Sequence, residues 1–206
     1  AARRRGASVG EHRLSDLTGK AHAIVSGDVQ IREVGGVEAL EFDGETNTAL
    51  ITDNLAAARL PQQQMTAEVW VRIDEADSVG GIIGCFQDTK TEHSGWSLGF
   101  HHSRFVFALA AQQGAADFSY LRSETEIRPG HWYHVAATFD GTKTRLAVNG
   151  RVEAESDAQS GAIVYPQTGF YEMASHHDAD TFHYMYGMLH EVRVYDRAVT
   201  DAELKR

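Results

Sequence analysis

The densest chemistry in the chain lies in the segment His176-His-Asp-Ala-Asp-Thr-Phe-His183, where imidazoles at His176 and His177 stand beside carboxylates at Asp178 and Asp180. Imidazoles with carboxylates ligate transition metals, and carboxylates attract calcium. The spacing has neither the i, i+4 histidine pair of a helical zinc site nor the Gly and terminal Glu of a calcium-binding hand. A solvated polar loop therefore outweighs a metal site here, with Asp178 and Asp180 kept as candidate ligands. Together with His101-His102, this loop is the most chemically loaded surface of the chain.

A second constellation comes from alternation. Glu68, Trp70 and Arg72 fall on one side of the segment 65–73, and Glu191, Arg193 and Tyr195 on one side of 187–195. If both strands share a sheet, the six side chains project together. Aromatic faces stack on the C–H side of sugars while carboxylates and guanidinium groups bind hydroxyls, so this is a candidate ligand face. Alternating Glu and Arg also suits cross-strand ion pairing, which has the edge. Cys85, in Gly81-Ile-Ile-Gly-Cys-Phe86, reads as a buried core thiol and not a nucleophile. There is no Gly-x-Ser-x-Gly elbow and no phosphate-cradling glycine loop.

The elements that must position these residues read as β. Met65–Ile73 and Trp132–Phe139 alternate strictly, the latter with Tyr133, Val135, Ala137 and Phe139 on its apolar side. Thr144–Val148, the pair Asn149-Gly150 and Arg151–Ala154 extend this into an antiparallel meander, because Asn-Gly suits a tight hairpin turn. In Gly187–Tyr195 the reading puts His190, Val192 and Val194 on one face and Leu189 with Glu191 on the other. Other strand candidates are 39–42, 49–52, 81–86, 96–101, 105–110 and 168–174. Only Asn54–Leu60 and the capping box Thr200-Asp-Ala-Glu203 suggest short helices. Ten to fourteen short strands without a linker predict two antiparallel sheets packed face to face, an all-β sandwich with one or two short helices. The domain is expected over residues 11–206, after a flexible basic tail at 1–10 carrying Arg3, Arg4 and Arg5.

Composition narrows the partners. The 206 residues hold 19 Lys and Arg against 29 Asp and Glu, a net charge of −10. That excess repels phosphate backbones, which disfavours nucleic acid. No apolar run reaches the roughly 18 residues that cross a bilayer, so membrane insertion is not expected. One cysteine precludes an internal disulfide.

Five stretches then line up in order: Leu40-Glu-Phe-Asp-Gly44, Thr66-Ala-Glu-Val-Trp-Val71, Trp132–Gly141, Arg145-Leu-Ala-Val-Asn-Gly150 and Gly187–Ala198. Together they resemble the laminin-G-like (LamG-like) jelly-roll domain of the concanavalin A-like lectin/glucanase superfamily. The resemblance implies a jelly roll with one concave sheet, working as a carbohydrate-binding or adhesion module of a larger secreted bacterial protein. Its expected partner is a polysaccharide or glycan, its expected location extracellular or periplasmic. It also implies that rim loops contact ligand, which adds His101, His176, His177 and Asp178 to Glu68, Trp70, Arg72, Arg193 and Tyr195. Related jelly rolls carry a structural calcium where the Phe-Asp-Gly carboxylate, here Asp43, meets an Asp of the last strand. His190 stands at that second position, and Asp43 also suits a turn. The E-x-D-x-x-E strand of the superfamily's glucanases is missing, so no catalytic residue is expected. The alternatives are a structural or protein-interaction domain packed against an adjacent catalytic domain, such as a hydrolase or phosphoesterase, and a polysaccharide-degrading enzyme.

Overall fold

In the computed structural model, residues 12–15, 17, 22–114 and 117–205 are described. The tail expected over residues 1–10 lies outside the described residues. The first strands are β1 (His12–Leu14), β2 (Ala23–Ser26), β3 (Gln30–Val34), β4 (Val37–Asp43), β5 (Thr48–Thr52) and β6 (Met65–Ile73). There follow β7 (Val79–Asp88), β8 (His93–His101), β9 (Arg104–Leu109), β10 (Ala111–Gly114), β11 (Ser119–Glu126), β12 (Trp132–Phe139) and β13 (Thr144–Val148). The last are β14 (Arg151–Ser156), β15 (Gln159–Ile163), β16 (Tyr171–Met173), β17 (Ser175–His177), β18 (Phe182–Tyr184) and β19 (Tyr186–Tyr195).

Two large antiparallel sheets form a jelly-roll sandwich. An eight-stranded sheet runs β1-β2-β5-β16-β7-β8-β9-β11, and a seven-stranded sheet runs β14-β13-β12-β6-β19-β4-β3. Two ribbons, β10-β15 and β17-β18, complete the topology. Alternation makes this arrangement: Ala67, Val69, Val71 and Ile73 of β6, with Val135, Ala137 and Phe139 of β12, are all fully buried between the layers. They meet Ile83, Cys85, Trp96, Leu98, Phe105 and Phe107 of the opposite sheet. Trp96 keeps its indole N–H satisfied inside the core by donating to the Tyr165 hydroxyl at 3.1 Å. The Cys85 thiol is buried there, and burial pushes its pKa up to about 12. Asn149 and Gly150 take left-handed backbone angles, φ 50° and 76°, as the hairpin between β13 and β14 requires.

The 19 strands among the described residues exceed the ten to fourteen expected, and two further expectations need correction. The described residues contain no helix. Residues 54–60 form a turn closed by i→i+3 bonds, Ala57 N–H to Asn54 O and Ala58 N–H to Leu55 O. The segment ends against Pro61 and is too short to repay helix nucleation. At the C-terminus Glu203 does reach back to the Thr200 N–H (2.8 Å), but only a turn results. The second correction concerns β19. Leu189 pairs with Val71 and Glu191 with Trp70, so the register shifts around His190. This bulge returns Leu189 to the core beside Val192 and Val194, and leaves Glu191, Arg193 and Tyr195 outside.

Candidate functional site

The outer face of the seven-stranded sheet carries the first constellation, because β6 lies hydrogen-bonded between β12 and β19. Cross-strand register places His134 and Glu191 on either side of Trp70, and Arg193 opposite Glu68. Trp70 is 38% exposed, a large amount for a tryptophan. Its ring lies 5.3 Å from the His134 ring, tilted by 41°. Glu68 Oε1 accepts from Arg193 Nη1 at 2.8 Å, and Arg193 Nη2 pairs with Glu191 at 2.7 Å. Burial lowers the His134 pKa, opposed by the Glu68 carboxylate 3.8 Å away.

The C-terminal segment turns this face into a site. Thr66, fully buried, accepts from the Val199 N–H (3.0 Å) and donates to the Arg197 carbonyl (2.8 Å). That clamp lays Val199 and Leu204 over Ala136 and Ala147 on the outer face. The result is an open concavity of about 470 Å³ lined by Glu68, Trp70, His134, Arg193, Tyr195 and Arg197, closed at one end by Val199 and Glu203. Arg197 sits over the Tyr195 ring at 5.5 Å and bonds Glu203 through both its Nη atoms, at 2.7 and 3.0 Å. Those bonds, with the Thr200 N–H, push the Glu203 pKa down to about 2.

Four of the nine sequence-derived ligand candidates, Glu68, Trp70, Arg193 and Tyr195, thus line one concavity. Arg72 shares their face but stands apart from it, bonding Asp74 Oδ2 at 2.6 Å. His134, Arg197 and Glu203 line the same space and escaped the sequence reading. The alternation of 132–139 already put His134 on the polar side; the wall exists only through the Thr66 clamp.

The other candidates sit on the eight-stranded sheet. The β17–β18 ribbon packs on β7, where a Cβ at Gly81 would overlap the Ser175 carbonyl. His176 contacts Phe86 edge-on at 4.4 Å, and burial pushes its pKa down to about 4, with Asp178 opposing. His177 stacks on Phe170 at 4.2 Å and touches Phe182 at 4.3 Å. His101 is exposed at the end of β8.

Of the three candidate metal ligands, Asp43 and Asp178 are occupied by their own backbone and Asp180 is exposed. Asp43 Oδ1 accepts from the N–H groups of Glu45, Thr46 and Asn47, and Oδ2 from the Thr46 hydroxyl. Against the burial that would raise it, these bonds hold the Asp43 pKa below the ordinary carboxylate value. His190 Nδ1 pairs with the Glu38 carbonyl at 2.7 Å. Asp178 Oδ1 accepts from the N–H groups of Asp180 and Thr181. Among the described residues no group of three or more His, Cys, Asp or Glu side chains is placed to hold a metal. The residues present do not fit the calcium that the resemblance implies.

A jelly-roll sandwich presenting an open polar and aromatic face is a lectin-like domain. The chain belongs to the concanavalin A-like lectin/glucanases superfamily, whose Laminin_G_3 family matches residues 43–205. Mouse (Mus musculus) Pappalysin-1 is 29% identical over 141 residues, 63% of this chain but 8% of its own length, and the human protein matches to the same extent. The chain thus spans about 8% of the length of these curated relatives. Domain 4 of AbnA, an extracellular arabinanase of Geobacillus stearothermophilus solved with arabinotriose, superposes with a TM-score of 0.65 at 15% identity, covering 93% of this chain and 91% of that one. The CBM40 of the Ruminococcus gnavus IT-sialidase, bound to α2,3-sialyllactose, superposes at 0.67 with 16% identity, over 81% and 94% of the two chains. At such identities the likeness is one of fold.

Proposed function

We propose that this chain is a non-catalytic carbohydrate-binding module whose ligand lies in the concavity over Trp70. The observation that carries the reading is the half-open indole face beside a fixed Glu68–Arg193 pair. An apolar platform for the C–H face of a sugar meets an acceptor and a donor for its hydroxyls. The arabinotriose and sialyllactose bound by proteins of the same fold support a glycan as ligand class.

Hydrolysis is disfavoured by the carboxylates themselves. A glycosidase needs one carboxyl kept protonated as general acid beside a second carboxylate. In the concavity, Glu203 is held ionised by Arg197 and Glu68 is spent on Arg193. Supported by the small share of its relatives that it spans, and by an extracellular neighbour, the module belongs to a larger exported polypeptide in which catalysis resides elsewhere.

Affinity electrophoresis against a polysaccharide panel that includes arabinan, followed by calorimetry with the retarding glycan, tests this. Trp70→Ala is expected to weaken binding about tenfold or more, since buried tryptophans dominate interface energies. Failure of every glycan to retard the wild-type chain, with and without calcium, would refute the reading. So would undiminished binding by the variant.

A further inference from the structure

The β8–β9 hairpin turns on His102 and Ser103, both with left-handed backbone, φ 46° and 58°. Two consecutive positive φ values make the turn geometry that Asn-Gly ordinarily fills, and other side chains adopt it at a cost. The surrounding chain holds it in place. The His102 N–H donates to Ser78 O (3.2 Å), the Ser103 N–H to Ala76 O (2.8 Å), and the Ser103 hydroxyl to Asp77 Oδ1 (2.8 Å). Arg122 Nη2 reaches across from β11 to the carbonyls of His101 (3.3 Å) and His102 (3.1 Å).

The effect is to bring the His101 and His102 imidazoles together at 4.1 Å, tilted by 33°, on the rim of the eight-stranded sheet. From the β17–β18 ribbon His183 comes close enough for its charge to act on His101. Burial lowers the His101 pKa, and the charges of His102, Arg122 and His183 lower it further. None of these four side chains has a carboxylate partner among the described residues. In a chain of net charge −10, three imidazoles and a guanidinium are gathered from three segments with no carboxylate ion-paired to them among the described residues. The charged groups around them include Asp77, whose carboxylate is committed to Ser103 and whose carbonyl pairs with His102 Nδ1 at 3.2 Å; Glu124, two residues from Arg122 on β11 and paired with Arg151 at 2.8 Å; Arg104, which donates to the Glu124 carbonyl; and His176, 5.7 Å from His183 and paired with Asp178. Metal ligation does not account for the cluster, since arginine cannot ligate and no metal-holding group is found among the described residues.

We propose that the His101–His102 turn, with Arg122 and His183, is an oxyanion-binding subsite for the carboxylate or sulfate of an acidic glycan. Imidazolium and guanidinium groups give charge-assisted hydrogen bonds to such oxygens. The subsite rests on the glycan-binding reading but lies on the other sheet from Trp70. Oxyanion binding favours the protonated imidazoles, so affinity rises as pH falls from 7.5 toward 5.5, and bound anion raises the His101 pKa in return.

Imidazole C–H resonances followed by NMR test it, first with sodium sulfate at constant ionic strength, then with 3′-sialyllactose, sulfated lactose and lactose. Sulfate should raise the His101 pKa by about one pH unit while leaving the exposed His190, on the seven-stranded sheet, unmoved. Either acidic lactose should perturb His101, His102 and His183, and lactose should not. Arg122→Gln should weaken sulfate binding several-fold. Because Arg122 also braces the turn, His183→Gln provides the same loss without touching that brace. Equal shifts of all imidazoles, indifference of both variants, or sulfate acting where neither acidic lactose does would overturn the subsite. None of these results bears on the Trp70→Ala comparison, so the two readings fail separately.

Discussion

Replacing Glu172 by Gln should stabilise the protein, and by an amount that depends on pH. Glu172 lies on β16 beneath the β17–β18 ribbon and is 5% exposed. Its Oε1 has no hydrogen-bond partner, and neither has the Ser175 hydroxyl; the nearest charged neighbour is His177 Nδ1 at 3.7 Å. Burial raises the carboxyl from 4.5 to about 7, and the nearby Ser175 hydroxyl, which forms no hydrogen bond with it, offsets this only weakly. The folded state therefore binds the proton more tightly than the unfolded chain between these values. Stability from this group is present below pH 4.5 and is lost as pH rises to 7. At 1.36 kcal/mol per pH unit, the ionised carboxylate costs about 3 kcal/mol above pH 7. Glu172→Gln keeps the shape and removes the charge. It should match the wild type near pH 4.5 and exceed it by about 2–3 kcal/mol at pH 8. His176 works in the opposite sense. Its pKa drops from 6.5 to about 4, so its contribution is present above pH 6.5 and is lost as pH falls toward 4. In the wild type the two slopes oppose one another between 4.5 and 6.5; in the variant the histidine slope stands alone, and acid should unfold it more steeply. Urea denaturation by tryptophan fluorescence from pH 4 to 8.5 measures both effects. A variant no more stable at pH 8, or one offset equally at every pH, would refute the account.

Further outcomes follow from the same contacts. Gly81→Ala forces a Cβ into the Ser175 carbonyl, so the β17–β18 ribbon must lift; the expected cost is about 1–3 kcal/mol. Histidine titration by NMR should then find His176 moved from about 4 back toward 6.5 as its cover over Phe86 loosens. Thr66→Val removes both bonds that clamp the C-terminal wall, costing about 2 kcal/mol in denaturation and lowering glycan affinity. Asp43→Ala should cost about 1–2 kcal/mol at neutral pH. Because the native Asp43 pKa lies below 3.8, this deficit should persist above about pH 4 and vanish as acid protonates the wild type, which pH-dependent melting would follow. Calcium and EDTA should leave the wild-type melting temperature unchanged.

Much of the sandwich was legible in the residue order because a strand's facing follows from a period of two. The bounds of β6, β12 and β13 emerge directly from their alternation, and Asn149-Gly150 dictates its own turn. The same period put Glu68, Trp70, Arg193 and Tyr195 on one face, and only the adjacency of β6 and β19 remained conditional. Period alone failed where one residue breaks it. The bulge at His190 moves Leu189 inward, and no local signal marks the break, because an exposed histidine is tolerated at most outward positions. Short helices expected at 54–60 and 200–203 became turns for want of length to repay nucleation.

Outside the bulge at His190, the sequence by itself determined which strand side chains face the core and which face out, since that choice is made within each strand by alternation of apolar and polar residues. Tertiary structure alone decided which outward residues meet. Thr66 draws residues 197–204 across the sheet to wall the Trp70 concavity, Gly81 seats the histidine ribbon, and Arg122 brings its guanidinium to the His101–His102 turn. Each of these contacts joins residues far apart in the chain, through backbone approaches and single hydrogen bonds that leave no periodic trace.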